Sequence, residues 1–136
     1  MEELITFDKI EVGEVWGTHD WPVSQELCDA WQRLLSDQTP AYAAGGKRVM
    51  PQGLLLVMYA NCSVALKPNR PSGGVHAKQK LRFGVPAYVG DVLSTQVKVG
   101  SKYIKRERRY VELETITTNQ HGEMVVEGIR TTIMSA

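Results

Sequence analysis

An apolar stretch without a polar face constrains this chain more than any other feature. Nearly every residue from 53 to 66 is apolar, and only residues 61–63 interrupt the run. A helix with no polar face has to be buried on most sides. Pro51 stands at its start and Pro68 just beyond its end, as helix boundaries prefer. The run is shorter than the roughly 20 residues that span a bilayer, so it predicts one buried helix at the centre of a domain.

The second half of the chain changes to a period of two. Apolar and polar residues alternate over about 75–85, 93–99, 111–115 and 123–134, and a shorter strand is predicted at 14–19. Alternation of this kind is typical of strands that bury one face. Several antiparallel strands that follow one wholly apolar helix predict an α+β fold, in which the sheet curls around the helix.

A first helix and a long loop precede the apolar helix. Ser24 is a candidate N-cap, and the helix is predicted over about 24–35 from an apolar face of Leu27, Trp31, Leu34 and Leu35. The loop over 36–52 contains two prolines and two glycines together with apolar and aromatic residues. Loops of this length inside a compact domain are usually functional or disordered, and the apolar content favours a functional loop.

Length and charge exclude several classes of protein. The 136 residues are the size of one domain, and we expect a single domain over 1–136. Sixteen Lys and Arg against fifteen Asp and Glu leave a net charge of +1, which gives no basis for binding nucleic acid or an anionic membrane. Cys28 and Cys62 lack metal-ligand spacing, so we predict no metal site. They are expected to be buried, reduced thiols of a cytoplasmic protein.

Three stretches of sequence carry a family resemblance. Ser36–Tyr42 is similar to a loop with the pattern Asp-x-Asn-Pro-x-His, and Met50–Leu55 is similar to a helix start that ends His-Gly-Met-Leu. Phe83–Leu93 closely matches Phe-x-x-Pro-Val-x-x-Gly-Asp-x-Leu. On these motifs the chain resembles the MaoC-like acyl-CoA hydratases and dehydratases of the hotdog fold, over about residues 10–135.

The resemblance implies a site for an acyl thioester. Asp37 and the residue at position 42 would handle the water and the proton, and the helix N-terminus at Gly53 would donate a backbone N–H to the thioester oxygen. Gly53 could equally be a packing residue at the helix start. The predicted substrate-binding residues are Pro51, Gln52, Leu54, Arg48 and His76. Arg48 would pair with a substrate carboxylate.

Position 42 departs from the family pattern. The family has His there, whereas this chain has Tyr42, and Thr39 replaces the usual Asn. An unperturbed phenol has a pKa of about 10, so it donates a proton but seldom accepts one at neutral pH. Asp37 could still act as a base if burial raised its pKa. Alternatively, the chain could have abandoned hydration.

Three functional hypotheses stay open at this stage. The first is a hydratase or dehydratase of an enoyl or 3-hydroxyacyl thioester, and the second is a hotdog thioesterase. The third is a non-catalytic module that binds an acyl thioester or a partner. No cofactor is expected beyond the coenzyme A or acyl carrier of the substrate itself. The resemblance implies a homodimer, with Trp21 and Tyr88 as candidate exposed aromatics at the interface.

Overall fold

The computed structural model describes residues 3–39 and 46–136, and of residues 59–61 and 64 the backbone only. Its elements are a short 3₁₀ turn Phe7–Lys9, β1 Val15–Pro22, α1 Gln25–Leu34, α2 Gln52–Leu66, β2 Val75–Phe83, β3 Val92–Lys105, β4 Arg108–Thr118 and β5 Met124–Met134. The five strands form one antiparallel sheet in the order β1-β3-β4-β5-β2. The predicted α+β hotdog fold is confirmed.

One face of the sheet carries the core. Alternate residues of β3 and β4 are buried there, because side chains along a strand point to opposite faces. They are Leu93, Thr95, Val97, Val99, Val111, Leu113, Thr115 and Thr117. Leu54, Leu55 and Cys62 of α2 belong to the same buried cluster. The period of two that predicted these strands is therefore the period of burial.

The central helix is less enclosed than its composition predicts. Its buried side packs against β1 and β3, whereas Val57 is 44% exposed and Ala65 is also exposed. The sheet of one chain covers only one side of a helix, so part of this apolar surface lies uncovered. In the described part of the chain, neither helix has both the length and the apolar character that crossing a membrane requires.

The first strand runs further than predicted. It continues to Pro22 and pairs with β3 from Val15 to the end. Trp21 therefore lies inside the strand and faces the core, where it is 5% exposed and its indole N–H donates to Thr95 Oγ1 at 3.2 Å. The prediction that Trp21 is an exposed interface aromatic is wrong, and Tyr88 is only half-buried.

The β3–β4 hairpin is also longer than the alternation indicates. β3 passes through Gly100, where the register shifts by a bulge, and continues to Lys105. The turn at Arg106 and Glu107 has positive φ at both residues, 51° and 64°. Two consecutive residues with positive φ form the tight turn that suits the twist of a hairpin.

The first helix follows the prediction at its start and departs from it at its end. Ser24 caps it by accepting the Leu27 N–H at 3.1 Å. Leu27 and Trp31 are half-buried, but Leu34 and Leu35 are 77% and 56% exposed. The apolar face is therefore covered only in its first two turns, and the last turn extends past the core.

Both cysteines are buried, as predicted. Burial is the main cause that raises the pKa of each thiol, and for Cys28 the nearby Arg48 opposes part of that effect. An unfolded thiol titrates near pH 8.5. Because the folded pKa lies higher, the neutral thiols stabilise the fold fully below about pH 8.5, and this stabilisation is lost as pH rises through the folded pKa.

We therefore expect the free energy of unfolding to fall as pH rises from 8 to 10. Urea denaturation at a series of pH values measures this. A Cys28→Ala/Cys62→Ala variant should show a shallower decline, because Lys and Tyr residues titrate in both proteins and only the thiols differ. Identical pH slopes for the two proteins would contradict the assignment.

Candidate functional site

The segment before α2 is held by the motif at 83–93. The Met50 N–H donates to Ala87 O at 2.8 Å, and the Val89 N–H donates to Arg48 O at 2.9 Å. An isolated antiparallel bridge joins Val49 to Tyr88. These bonds fix the backbone just ahead of the helix, so the motif positions the N-terminus of α2.

The Gly-Asp pair of the same motif has a structural role. Gly90 adopts a φ of +98°, which a residue without Cβ adopts most readily. Asp91 accepts the Tyr88 N–H through Oδ2 at 2.9 Å and the Gln120 side-chain amide through Oδ1 at 2.8 Å. The Val23 N–H donates to Asp91 O at 2.9 Å. The aspartate therefore ties the motif to the residue that follows β1 and to the turn between β4 and β5.

An apolar pocket lies beside the start of α2. Its volume is about 280 Å³. The residues that line it are Val49, Met50, Gln52, Leu55, Phe83, Gly84, Val85, Pro86, Ala87 and Val125. All but Gln52 are apolar, and half of them come from the motif segment 83–87. The pocket has the character of a site for a hydrocarbon chain.

The N-terminus of α2 has no cap of its own. Pro51 occupies the N-cap position without a side-chain hydrogen bond, and the first turn contains no acidic residue. The Leu55 N–H is the one that bonds back to Pro51 O, at 3.0 Å. The amides of the preceding turn have no helical carbonyl to pair with, and the helix dipole places partial positive charge there. This end of the helix therefore suits an oxygen that carries negative charge.

Trp31 of α1 packs against Gly53 at that helix end. A Cβ at Gly53 would lie 3.0 Å from Cζ2 of the indole ring. This is closer than side chains normally approach, so the glycine permits the contact between the two helices. Gly53 therefore has a packing role, which was one of its two possible roles from the sequence. The Trp31 indole lies beside the amides of the first turn of α2.

The end of α1 sets the position of Asp37. Ser36 has a φ of +53°, and its N–H donates to Arg33 O at 3.1 Å while the Asp37 N–H donates to Gln32 O at 2.8 Å. These two bonds form a Schellman motif, in which one left-handed residue closes the helix end. The backbone of Asp37 is thereby bonded to the last full turn of α1.

The Asp37 carboxylate is bonded within its own loop. Oδ1 accepts the Thr39 backbone N–H at 3.0 Å and also the Thr39 hydroxyl. A side chain that bonds the backbone two residues onward is the ordinary behaviour of a loop aspartate. Tyr42, the other predicted catalytic side chain of this loop, lies outside the described residues.

Gln32 and Arg48 link the loop to α1 and to the start of α2. The Gln32 amide donates to Asp37 O at 3.4 Å, and its carbonyl oxygen accepts from Arg48. Arg48 also forms an ion pair with Asp29 at 2.7 Å. A polar cleft of about 520 Å³ lies along this network. Its lining residues are Asp29, Gln32, Arg33, Ser36, Asp37 and Gln38.

Two of the predicted catalytic residues, Asp37 and Gly53, both contact helix α1. Trp31 contacts Gly53, and the next residue, Gln32, bonds to Asp37. Both candidate groups therefore depend on the C-terminal half of α1. Arg48 reaches the same region, where two of its guanidinium nitrogens bond within the protein.

The remaining predicted residues divide between core, pocket and a distant cavity. Gln52 lines the apolar pocket, whereas Pro51 and Leu54 are buried. His76 lines a separate cavity near residues 68–71, beyond the other end of α2. Within one chain the structure does not bring His76 to Asp37 and Gly53.

Sequence reasoning missed five residues of this region. Trp31 was assigned only to an apolar helix face, and Gln32 gave no signal because its two bonds depend on how α1 lies against the loop. Phe83 and Val85 belong to the motif, and their position in it was the available signal. Leu55, rather than Leu54, lines the pocket.

Comparison with protein families gives one match. Residues 12–128 match the family model described as FAS1-like, dehydratase domain region. The match covers most of the chain, including the loop of Asp37, the start of α2 and the motif at 83–93. The sequence matches none of the curated proteins with which it was compared.

Solved structures share the fold at low identity. The unliganded R-hydratase PhaJ1 from Pseudomonas aeruginosa is 24% identical, with 94% of this chain and 84% of that chain covered and a TM-score of 0.77. A MaoC-like dehydratase from Rhodospirillum rubrum is 18% identical (93% and 94% covered, TM-score 0.79). The 3R-hydroxyacyl-ACP dehydratase complex HadBC from Mycobacterium tuberculosis is 21% identical (90% and 96% covered, TM-score 0.75). At these identities the similarity establishes the fold.

Proposed function

This chain belongs to the MaoC-like hotdog family of hydratases and dehydratases, because it matches the model of the FAS1-like dehydratase domain region. On that basis we propose that it interconverts an enoyl thioester and a 3-hydroxyacyl thioester. The thioester is carried by coenzyme A or by an acyl carrier. The reaction is the reversible addition of water across the double bond next to the thioester carbonyl. Asp37, Tyr42 and the Gly53 amide are the proposed catalytic groups.

The observation that carries this proposal is the start of α2. Its first turn has neither a capping side chain nor an acidic residue, and it adjoins an apolar pocket of about 280 Å³. A thioester oxygen at the helix end, with its acyl chain in the pocket, would use both features. Amide donors aimed at a developing oxyanion are worth about 10²–10³ in rate each.

The proposed mechanism needs one proton to move from water to carbon. As the water oxygen bonds to C3 of the enoyl group, the Asp37 carboxylate takes the water proton, and the electrons of the double bond move to the thioester oxygen. The α2 amides stabilise the enolate that forms. C2 then receives a proton from the Tyr42 phenol, and the protonated Asp37 restores that phenol. Every atom of the water thus ends in the product.

An assay for the two possible reactions tests the proposal. Purified protein is mixed with crotonyl-CoA, and loss of the enoyl absorbance is followed beside free thiol, which a colorimetric reagent reports. We expect the absorbance to fall with no thiol release. Thiol release without hydration would instead identify a thioesterase. If short, long and carboxylated enoyl thioesters all remain unchanged, the hydratase proposal is wrong.

A second candidate function is binding without turnover. It is favoured by the two hydrogen bonds that Asp37 Oδ1 accepts from Thr39, because a carboxylate oxygen that orders its own loop is less available as a base. Tight binding of a thioester analogue with no turnover would support this alternative. A Tyr42→His variant that gained hydratase activity would then indicate that only the proton-transfer residue is lacking.

The proposed assembly is a dimer through β2. This strand is an edge of the sheet, and Val75 and Phe83 at its two ends are 55% and 38% exposed. Exposed apolar edges readily pair with another strand. The exposed Val57 side of α2 offers further apolar area. HadBC, a structure of the same fold, is itself a complex.

A further inference from the structure

Arg48 is the residue at which three parts of the candidate site meet. Its backbone belongs to the segment before α2, where its carbonyl oxygen accepts the Val89 N–H of the family motif at 2.9 Å. Its side chain reaches α1, where Nη1 donates to Asp29 Oδ1 at 2.7 Å and Nη2 donates to Gln32 Oε1. One residue therefore joins the start of α2, the motif and the helix that precedes the candidate catalytic loop.

The bond from Arg48 decides how the Gln32 amide is oriented. A guanidinium group has only donors, so the Gln32 side chain has to present its carbonyl oxygen to it. The NH₂ end of the same amide is then left to donate to Asp37 O, at 3.4 Å. The Asp37 N–H donates to Gln32 O at 2.8 Å. Gln32 thus holds both polar backbone groups of Asp37, and Arg48 holds the Gln32 side chain.

Stability alone does not account for this arrangement. The Arg48 side chain is 21% exposed, against 42% for Asp29, and its Nε is buried without a hydrogen-bond partner among the described residues. A buried donor that bonds to nothing costs free energy, and buried ion pairs are often no more stabilising than apolar side chains of similar size. The arrangement does provide a fixed geometry, because the planar fork of an arginine bonds two acceptors in set directions.

A fixed geometry matters here because Arg48 lies between two proposed catalytic groups. It stands shortly before the N-terminus of α2, whose amides would hold the thioester oxygen, and it bonds through Gln32 to Asp37, which would act as the base. The attacking water and the enolate oxygen belong to one small reacting group, so the base and the amides have to keep a constant separation. Two hydrogen bonds in series, from Arg48 to Gln32 and from Gln32 to Asp37, span that separation.

We propose that Arg48 is a positioning residue, which sets the Asp37 carboxylate relative to the N-terminus of α2 and does not contact the substrate. The inference rests on the function proposed above, since it assigns a role within that reaction. It is an alternative to the role that the sequence indicated for Arg48, which is pairing with a substrate carboxylate. Both Nη1 and Nη2 already bond within the protein, and this supports the positioning role.

Two thioesters separate positioning from substrate binding. Arg48→Met removes both side-chain bonds, and kcat and KM are measured for crotonyl-CoA and for glutaconyl-CoA, an enoyl thioester with a carboxylate at the far end of its acyl chain. We expect kcat to fall by about 10- to 100-fold for both substrates, as misplaced catalytic groups cause, while each KM stays within about threefold. A rise in KM confined to glutaconyl-CoA would show that Arg48 binds the substrate carboxylate, and would overturn the proposal.

Hydrogen exchange tests the positioning without any turnover. The exchange rate of the Asp37 amide is followed by NMR in the unmodified protein, in Arg48→Met and in Gln32→Glu. The Gln32→Glu variant keeps an oxygen for Arg48 but lacks the N–H groups that donate to Asp37 O. In both variants we expect the Asp37 amide to exchange at least about 10-fold faster. The Val85 amide, which donates to Met124 O at 2.9 Å, should exchange at an unchanged rate.

The control is Lys9→Met, which removes the cation of an ion pair with Glu3 away from the site. It should leave kcat, KM and the exchange of the Asp37 amide unchanged, and urea denaturation verifies that every variant is folded. The proposal is overturned if kcat of Arg48→Met stays within threefold of the unmodified value, or if its Asp37 amide exchanges within twofold of the unmodified rate. An unmodified protein that hydrates no enoyl thioester would contradict the proposed function, and the exchange rates would still decide whether Arg48 positions Asp37.

Discussion

Asp37→Asn is expected to lower kcat/KM for an enoyl thioester by about 10²–10⁴-fold, the range that a positioned general base contributes. Asparagine keeps an oxygen at Oδ1, so the hydrogen bonds from Thr39 to that atom are retained. The backbone bond from residue 37 to Gln32 is also unaffected. The variant should therefore unfold at the same urea concentration as the unmodified protein while losing its activity. Initial rates and urea denaturation measure the two effects separately.

Asp20→Asn is the matched control for this substitution. Asp20 is an exposed aspartate on β1 whose Oδ1 accepts the Ser94 hydroxyl at 2.6 Å, so the same chemical change is made in a comparable bonding environment away from α1. It should leave kcat/KM unchanged. Activity of the Asp37→Asn variant within threefold of the unmodified protein would exclude Asp37 as the base and favour the binding-module alternative.

Gly84→Ala should destabilise the fold strongly, because among the glycines of the described residues an added Cβ makes its closest contact here. The added Cβ would lie 2.1 Å from the Met124 carbonyl oxygen and 2.9 Å from its sulfur. The backbone cannot yield easily, because the Gly84 N–H donates to Val125 O and the Val85 N–H donates to Met124 O, each at 2.9 Å. Overpacking of this kind typically costs 1–3 kcal/mol, and we expect a decrease of about 3 kcal/mol in the free energy of unfolding. Equilibrium urea denaturation measures it.

The same substitution at Gly100 provides the comparison. A Cβ there would approach the Glu114 side chain at 2.7 Å, which is also too close. Glu114 is exposed, however, so its flexible side chain can turn away into solvent. Gly100→Ala should cost less than about 1 kcal/mol, in the range of ordinary surface substitutions. Equal costs at the two glycines would show that the contact at Met124 relaxes more easily than its backbone bonds indicate.

Local sequence patterns predicted the elements of the fold because the relevant interactions are local. The Ser24 cap needs only the amide of Leu27 three residues away. The alternation over β4 follows from side chains that point to opposite faces of a strand. The length of β3 was not predictable in this way, because its continuation past Gly100 depends on pairing with β4 through a bulge. Trp21 was missed for a similar reason, since it pairs with Leu93 of β3 beyond the predicted end of the first strand.

The sequence predicted individual residues of the candidate site, but it did not predict the contacts that hold them together. The motifs indicated Asp37 and Gly53 as members of one site, and the structure connects both to α1. The connection itself is tertiary, since Trp31 reaches Gly53 only because α1 crosses the start of α2. Of the basic residues that line the cavity beyond the other end of α2, namely Arg70, His76 and Arg130, the sequence indicated only His76. Arg70 and Arg130 are 60 positions apart, and no local pattern relates an arginine after a helix to one on the last strand.

The candidate site keeps its arrangement only while the last turn of α1, which the Schellman motif closes, stays folded. The bond from Asp37 to Gln32 and the ring of Trp31 both belong to the final turns of a ten-residue helix, and Leu34 and Leu35 at that end contribute little burial. Helix ends with few buried contacts open more often than the core. Each opening of the last turn would displace the carboxylate and the indole together. A bound ligand that touches either one would therefore suppress this fluctuation, and its affinity would include the free energy of keeping one helical turn closed.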